Sequence, residues 1–196
     1  MCSSDLLTKD HELVSLWGPV KSLDQPVANV FEFNYEELCL RLGKNVLKIE
    51  DLCKQVNGQV AFNFDIKDWS DKITGYREAL VNALVKLIKY HNLQNNVLFE
   101  SFNLDYILAL KTVSKEHGVE IMAGIAVPQD SHQNAVIETI RKCDHHSLSS
   151  IFIYPQLLSQ NTVATLNETR LILITRQNKM NNNTFQSIAC PILSLS

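Results

Sequence analysis

Val60-Ala61-Phe62-Asn63-Phe64-Asp65-Ile66-Lys67-Asp68 reads as a buried-type strand that closes on charge. Side chains alternate across a strand, so Asp65 and Lys67 point to the same side, an ammonium two residues beyond a carboxylate. Opposite charges at the C-terminal end of a strand that leads into a helix are the material from which an α/β barrel builds an active-site mouth. Charged residues also open ordinary solvated loops, so the pair alone leaves both readings standing.

Downstream, the alternation of elements becomes regular. Tyr76, Leu80, Ala83, Leu84, Leu87, Ile88 and His91 recur at helical spacing, with Arg77, Glu78, Lys86 and Lys89 on other faces. His91, at the end of this helix, suits the negative end of the helix dipole. The spacing then predicts a strand at 97–100, a helix at 104–116 stopped by Gly118, a strand at 119–125, a helix at 133–143, a strand at 151–154, a helix at 160–168 and a strand at 170–175, with a last segment at 188–195. Upstream, a strand at 12–16 stops at Trp17-Gly18-Pro19, a capped helix starts at Asn34-Tyr35-Glu36-Glu37 and ends at Gly43, and a short helix covers 50–56. The Asn-rich run 178–184 reads as an exposed loop. Strands alternating with helices call for a parallel sheet, either wound open or closed into a barrel. No Gly-x-Gly-x-x-Gly or Gly-x-x-x-x-Gly-Lys-Ser/Thr sequence follows a strand, which weakens the nucleotide-binding open sheet and moves the barrel ahead.

With 196 residues, 45% of them hydrophobic and 20% charged, the chain can bury one substantial core, and two domains would be cramped. A net charge of -3 without a Lys/Arg-rich run argues against nucleic acid as the partner. Cys2, Cys39, Cys53, Cys143 and Cys190 are scattered and never form Cys-x-x-Cys, so reduced core thiols are expected rather than a disulfide framework or a zinc site. There is neither an apolar leader nor a run of about eighteen apolar residues, so the expectation is a cytoplasmic chain without a transmembrane segment.

Particular residues carry a resemblance. Lys48-Ile49-Glu50-Asp51-Leu52, Phe62-Asn63-Phe64-Asp65-Ile66-Lys67, Glu100-Ser101-Phe102-Asn103-Leu104-Asp105 and Leu108-Ala109-Leu110-Lys111 occur in that order. They look like successive landmarks of the glycerophosphodiester phosphodiesterase family: a Pro-Thr-Leu-Glu-Glu helix, a strand ending Asn-Ile-Glu-Ile-Lys, and a strand ending Ser-Ser-Phe before an Asp-containing helix. Thr8-Lys9-Asp10-His11-Glu12-Leu13-Val14 is similar to the family's Thr-Lys-Asp-Gly-x-x-Val hairpin, and Tyr35-Glu36-Glu37-Leu38 resembles its Thr-Tyr-Glu-Glu-Leu helix start. Leu171 to Thr175 sits where the eighth barrel strand should be.

The resemblance implies a (β/α)8 TIM-barrel-like fold in one domain, 1–196, lacking the family's first strand and most of the second. It also implies metal-dependent hydrolysis of a phosphodiester, glycerophosphodiester or lysophospholipid, with Mg²⁺ or Ca²⁺ on carboxylates and two histidines as acid and base. Residue by residue, Asp65 replaces the family's metal-binding glutamate and Lys67 keeps its lysine as the catalytic and substrate-binding cation. Glu100 is a second candidate oxygen ligand, and Phe102 lies at the substrate side. The Glu-x-Asp metal pair would fall at Cys2 and Ser4, and Trp17 stands at the lost site of the second histidine. Indole cannot shuttle a proton at neutral pH, so impaired catalysis is expected. His145 and His146, with Cys143 and Asp144, lie after a helix, on the face opposite a barrel's active site, and read as a solvated loop. His11 reads as a turn residue. An incomplete barrel exposes strand edges that a partner chain could fill. The competing readings are a working lipid phosphodiesterase completed by another polypeptide, and an unrelated α/β binding or interaction protein.

Overall fold

The protein is seen in a computed structural model that describes residues 2–16, 27–56, 61–67, 73–175 and 188–189; Trp17, Asp68 and the Asn-rich run lie outside them. The chain divides into two compact units, Met1–Ile121 and Met122–Ser196.

In the first unit the strands are β1 (Cys2–Leu7), β2 (Leu13–Ser15), β3 (Leu47–Lys48), β4 (Phe62–Ile66) and β5 (Val97–Ser101), in the order β3-β2-β1-β4-β5. β4 is parallel to both β1 and β5, while β1-β2 and β2-β3 are antiparallel. The helices are α1 (Tyr35–Leu42), α2 (Ile49–Val56), α3 (Tyr76–His91) and α4 (Leu104–Glu116). β1 has no apolar alternation to announce it. It exists because β2 and β4 supply partners on both of its edges, so tertiary pairing decides where local pattern is silent.

The β1-β2 connection explains the Thr-Lys-Asp sequence in physical terms. The buried Thr8 hydroxyl donates to Asp10 Oδ1 (2.6 Å) and accepts from the Glu12 amide (2.9 Å), closing the turn. Asp10 Oδ1 also accepts from the Tyr35 amide (3.0 Å), satisfying a donor at the first turn of α1. His11 lies in the left-handed region (φ 64°), at the position where the resembled hairpin has glycine. Its side chain is a turn residue, as the sequence indicated, and its backbone is strained. Exchanging His11 for Gly is therefore expected to raise stability by about 0.5–1 kcal/mol, roughly 2 °C in the melting temperature, after the added freedom of the unfolded chain is deducted. Exchange for Ala should give no such gain, and equal melting points for the two variants would show that the turn is not strained.

Above this hairpin Leu6, Val14, Leu16, Val30, Leu38, Leu42 and Val46 form one buried cluster. α1 leaves it through Gly43 (φ 61°), where the Lys44 amide bonds back to the Cys39 carbonyl (3.2 Å). α3 buries Tyr76, Leu80, Leu84, Leu87 and Ile88 of the stripe that its spacing predicts, with Val81 and Val85 beside them, while Ala83 and His91 are only half-buried.

The second unit contains β6 (Met122–Ala126), α5 (Gln133–His145), β7 (Ser150–Phe152), α6 (Gln160–Asn167), β8 (Ile172–Thr175) and β9 (Ile188–Ala189). β6, β7 and β8 run parallel in that order, and β9 is antiparallel to β8. The strand expected at 119–125 starts instead at Met122. The reason is the cap of α4: Gly118 turns left-handed (φ 68°), and the Val119 amide is taken by the Ser114 carbonyl (2.8 Å). Gly124 allows β7 to come close, because a Cβ there would overlap the backbone of Ser150, its register partner.

Candidate functional site

β4 and β5 sort their side chains by chemistry. On one face Phe62 stacks on Phe64 (5.7 Å between ring centroids) and Phe64 on Phe99 (5.2 Å). Phe64 and Phe99 are register partners, so this ladder follows directly from the pairing. The other parity carries Asn63 and Asp65 on β4 and Glu100 on β5, with Asp65 opposite Glu100. Asp65 is 5% exposed and Glu100 is fully buried.

Lys67 leaves the end of β4 on the same side and places its Nζ 2.6 Å from Asp65 Oδ2, the pairing that period two predicts. The ammonium also lies 5.8 Å from the centroid of the Phe102 ring, which is half exposed. At that range the ring adds at most about 1 kcal/mol, so the carboxylate decides where the ammonium sits. Glu100 is held by a group that sequence reasoning missed: Asn63 Nδ2 donates to Glu100 Oε1 (3.0 Å). The signal was a lone amide in an aromatic strand, at the same parity as Asp65.

Ser101 and Asn103 fix the far edge of the site. The Ser101 hydroxyl donates to the Ile66 carbonyl (3.0 Å) and accepts from the Asn103 amide (3.2 Å), joining the ends of β4 and β5. Asn103 Oδ1 accepts from the Asp105 amide (2.9 Å) and caps α4. The Ser-Phe-Asn-x-Asp run is thus a strand-to-helix joint that sets Phe102 at the surface.

The structure brings Asp65, Lys67, Glu100 and Phe102 together; Trp17 lies outside the described residues. It also fixes what stands beside them. Through the parallel β1-β4 register, Cys2 is opposite Asn63 and Ser4 opposite Asp65. The row across three strands is therefore Ser4, Asp65, Glu100, with a hydroxyl residue where the resemblance calls for a carboxylate.

The donor set can be weighed against the Mg²⁺ or Ca²⁺ that the resemblance implies. Either ion takes six or more oxygens, several of them anionic in a tight protein site. Here one carboxylate is engaged by an ammonium and the other by an amide, and among the described residues no three His, Cys, Asp or Glu side chains gather to hold an ion. Two carboxylates, one of them paired with an ammonium, are fewer anionic oxygens than a tight divalent-cation site takes. The His145-His146 pair is no substitute: it closes α5 in the second unit, with His145 exposed. Its neighbour Cys143 is pushed up to about 11 by burial and stays a protonated core thiol.

A hollow of about 650 Å³ in the first unit lies away from this row, bordered by His11, Glu12, Glu50, Lys86, Tyr90 and His91. Its two carboxylates are already paired, Glu12 with Lys48 (3.0 Å) and Glu50 with Lys54 (2.9 Å). Among the described residues no helix is long and apolar enough to cross a membrane.

No protein-family model and no curated protein sequence matches the chain. Solved structures do. A glycerophosphodiester phosphodiesterase from Thermotoga maritima matches with a TM-score of 0.66 at 15% identity, over 92% of this chain and 73% of that one. One from Parabacteroides distasonis matches with 0.64 at 14% identity, over 89% and 68%. One from Agrobacterium tumefaciens matches with 0.62 at 12% identity, over 89% and 72%. The fold is therefore the TIM-barrel-like α/β fold of glycerophosphodiester phosphodiesterases, and the chain spans about seven-tenths of the length of these structures.

Proposed function

We propose that this chain keeps the phosphodiesterase scaffold and has lost, or nearly lost, the hydrolysis of phosphodiesters such as glycerophosphodiesters and lysophospholipids. The observation that supports this reading is the Ser4-Asp65-Glu100 row, in which Asp65 is held by the Lys67 ammonium, Glu100 by the Asn63 amide, and the third position is a serine. An anionic diester entering such a row meets excess negative charge, and nothing in the described row polarises its phosphorus. Trp17 at the histidine position of the resemblance removes the proton donor as well, a loss that by itself typically lowers a rate by about a hundred- to ten-thousand-fold. Of the competing readings, a non-catalytic binding protein agrees with this site, whereas a working phosphodiesterase completed by another polypeptide requires its acid, base and metal ligands to come from elsewhere.

The test is turnover. The full chain is incubated with glycerophosphocholine or lysophosphatidylcholine, with added Mg²⁺ or Ca²⁺, and glycerol 3-phosphate or choline is assayed. No release above the uncatalysed background is expected. Metal-dependent release that disappears on exchanging Asp65 for Asn would overturn the proposal.

A further inference from the structure

We propose that the hollow beside α3 is a binding site for an amphipathic anion, an alkyl chain that ends in a carboxylate or a phosphate. At about 650 Å³ it has the volume of a small-molecule site, and all of its lining belongs to the first unit. It arises from a mismatch in helix length. α2 has 8 residues and α3 has 16, roughly 12 Å against 24 Å, so α2 cannot cover the whole of α3. Along the lining face of α3, Ala79, Ala83 and Leu87 follow one another at four-residue spacing and stand one above the next. Leu13 of β2 lines the same space. Leu13 and Leu87 are buried and the two alanines half-buried, so small apolar side chains leave open a channel that longer ones would fill. Tyr90, 76% exposed, stands at its border, where its ring can cover a bound chain.

The polar lining selects the charge of the ligand. Glu12 and Glu50 border the hollow, but each has its own lysine, Lys48 and Lys54. Asp51, which also reaches Lys54 at 4.0 Å, is not part of the lining. Lys86 is different: it lines the hollow, is exposed, and pairs with no acidic side chain among the described residues. His91 adds a second polar group. Its ring meets that of Tyr90 edge-on (4.9 Å between centroids), and its Nε2 is buried without a hydrogen-bond partner among the described residues. A buried polar atom left unpaired costs stability, and an anionic oxygen beside an imidazolium would satisfy it. The surplus charge at this hollow is therefore positive, its floor is apolar, and a headgroup at Lys86 and His91 with a chain along Ala79 and Ala83 uses both. The assignment does not depend on whether the Asp65 row hydrolyses any diester.

Calorimetric titration of the full chain with decanoate, decyl phosphate and decyltrimethylammonium, each below its micelle-forming concentration, tests it. At least one of the anions is expected to bind saturably, with a dissociation constant of about 1 mM or below, and the cation about tenfold more weakly or not at all. The anion that binds more tightly identifies the headgroup. Lys86→Met should weaken that binding about tenfold, the worth of one charge-assisted contact. Ala83→Trp, which fills the channel, should abolish it; should that variant not fold, Ala83→Leu replaces it. Lys89→Met, an exposed lysine of the same helix outside the lining, should bind as the wild type does. Absence of saturable binding by both anions would overturn the proposal, as would equal binding of the cation. So would Lys86 and Ala83 variants, shown to be folded by circular dichroism, that bind like the wild type.

Discussion

Replacing Lys67 with Met should lower the stability of the protein by about 3 kcal/mol, the lower end of the range for breaking a buried ion pair by removing one partner. The lower end is chosen because the ammonium is partly solvated, whereas Asp65 and Glu100 are not. The cost arises from what is left behind. Asp65, 5% exposed, loses the ammonium on its Oδ2 and keeps Glu100 as its register neighbour in a medium of low polarity. At roughly 2–4 °C per kcal/mol for a chain of this size, the melting temperature should fall by about 6–12 °C. Adding Asp65→Asn to the Lys67→Met chain removes the carboxylate that lost its ammonium and should recover most of that loss. Lys142, paired with Glu138 at 2.8 Å on an exposed helix face, supplies the contrast: its exchange for Met should leave stability nearly unchanged. Equal losses at positions 67 and 142, or a double variant as unstable as the sum of its parts, would mean that the pair is an ordinary surface contact.

The same residues show why part of this site could be read from sequence. Asp65 and Lys67 share a face because of a two-residue period, which is a local property of any strand. Glu100 opposite Asp65 is a matter of register between strands more than thirty residues apart, and a strand ending in Glu-Ser-Phe suggests the location without fixing the partner. Asn63 was legible in principle as the polar member of an aromatic alternation, but its bond to Glu100 depends on that same register. β1 was the least legible element. Cys-Ser-Ser-Asp-Leu-Leu has neither apolar alternation nor β-branched residues, and it becomes a strand because β2 returns along one edge and β4 runs along the other. At 119–121 the opposite error arises, since Val119 favours a strand by propensity but its amide is used to close α4. His11 lay between these cases: the Thr-Lys-Asp landmark marked a turn, and the backbone then identified it as the occupant of a glycine position.

Because β1 brings Cys2 and Ser4 into register with Asn63 and Asp65, writing carboxylates into those two positions should create a divalent-ion site. In a Cys2→Glu, Ser4→Asp chain, the two carboxylates are added at the register partners of Asn63 and Asp65, one strand from Asp65 and two from Glu100. Two added carboxylates on β1 repel Asp65 and Glu100, so the variant should be less stable than the wild type in chelator. Calcium reverses the sign: its weaker protein sites bind at about 0.1–1 mM, and at a hundred times the dissociation constant binding contributes about 2.7 kcal/mol. A melting temperature that rises by roughly 5–10 °C on adding about 10 mM Ca²⁺, with saturation, is the expected outcome. The wild type under the same conditions should not move. Exchanging Glu100 for Gln in the redesigned chain should then remove most of the response, since the ion bridges β1 to β5. A folded, calcium-indifferent redesign would show that the three strands do not present one row of side chains to a common point, and the argument from Ser4 to the loss of catalysis would fail with it.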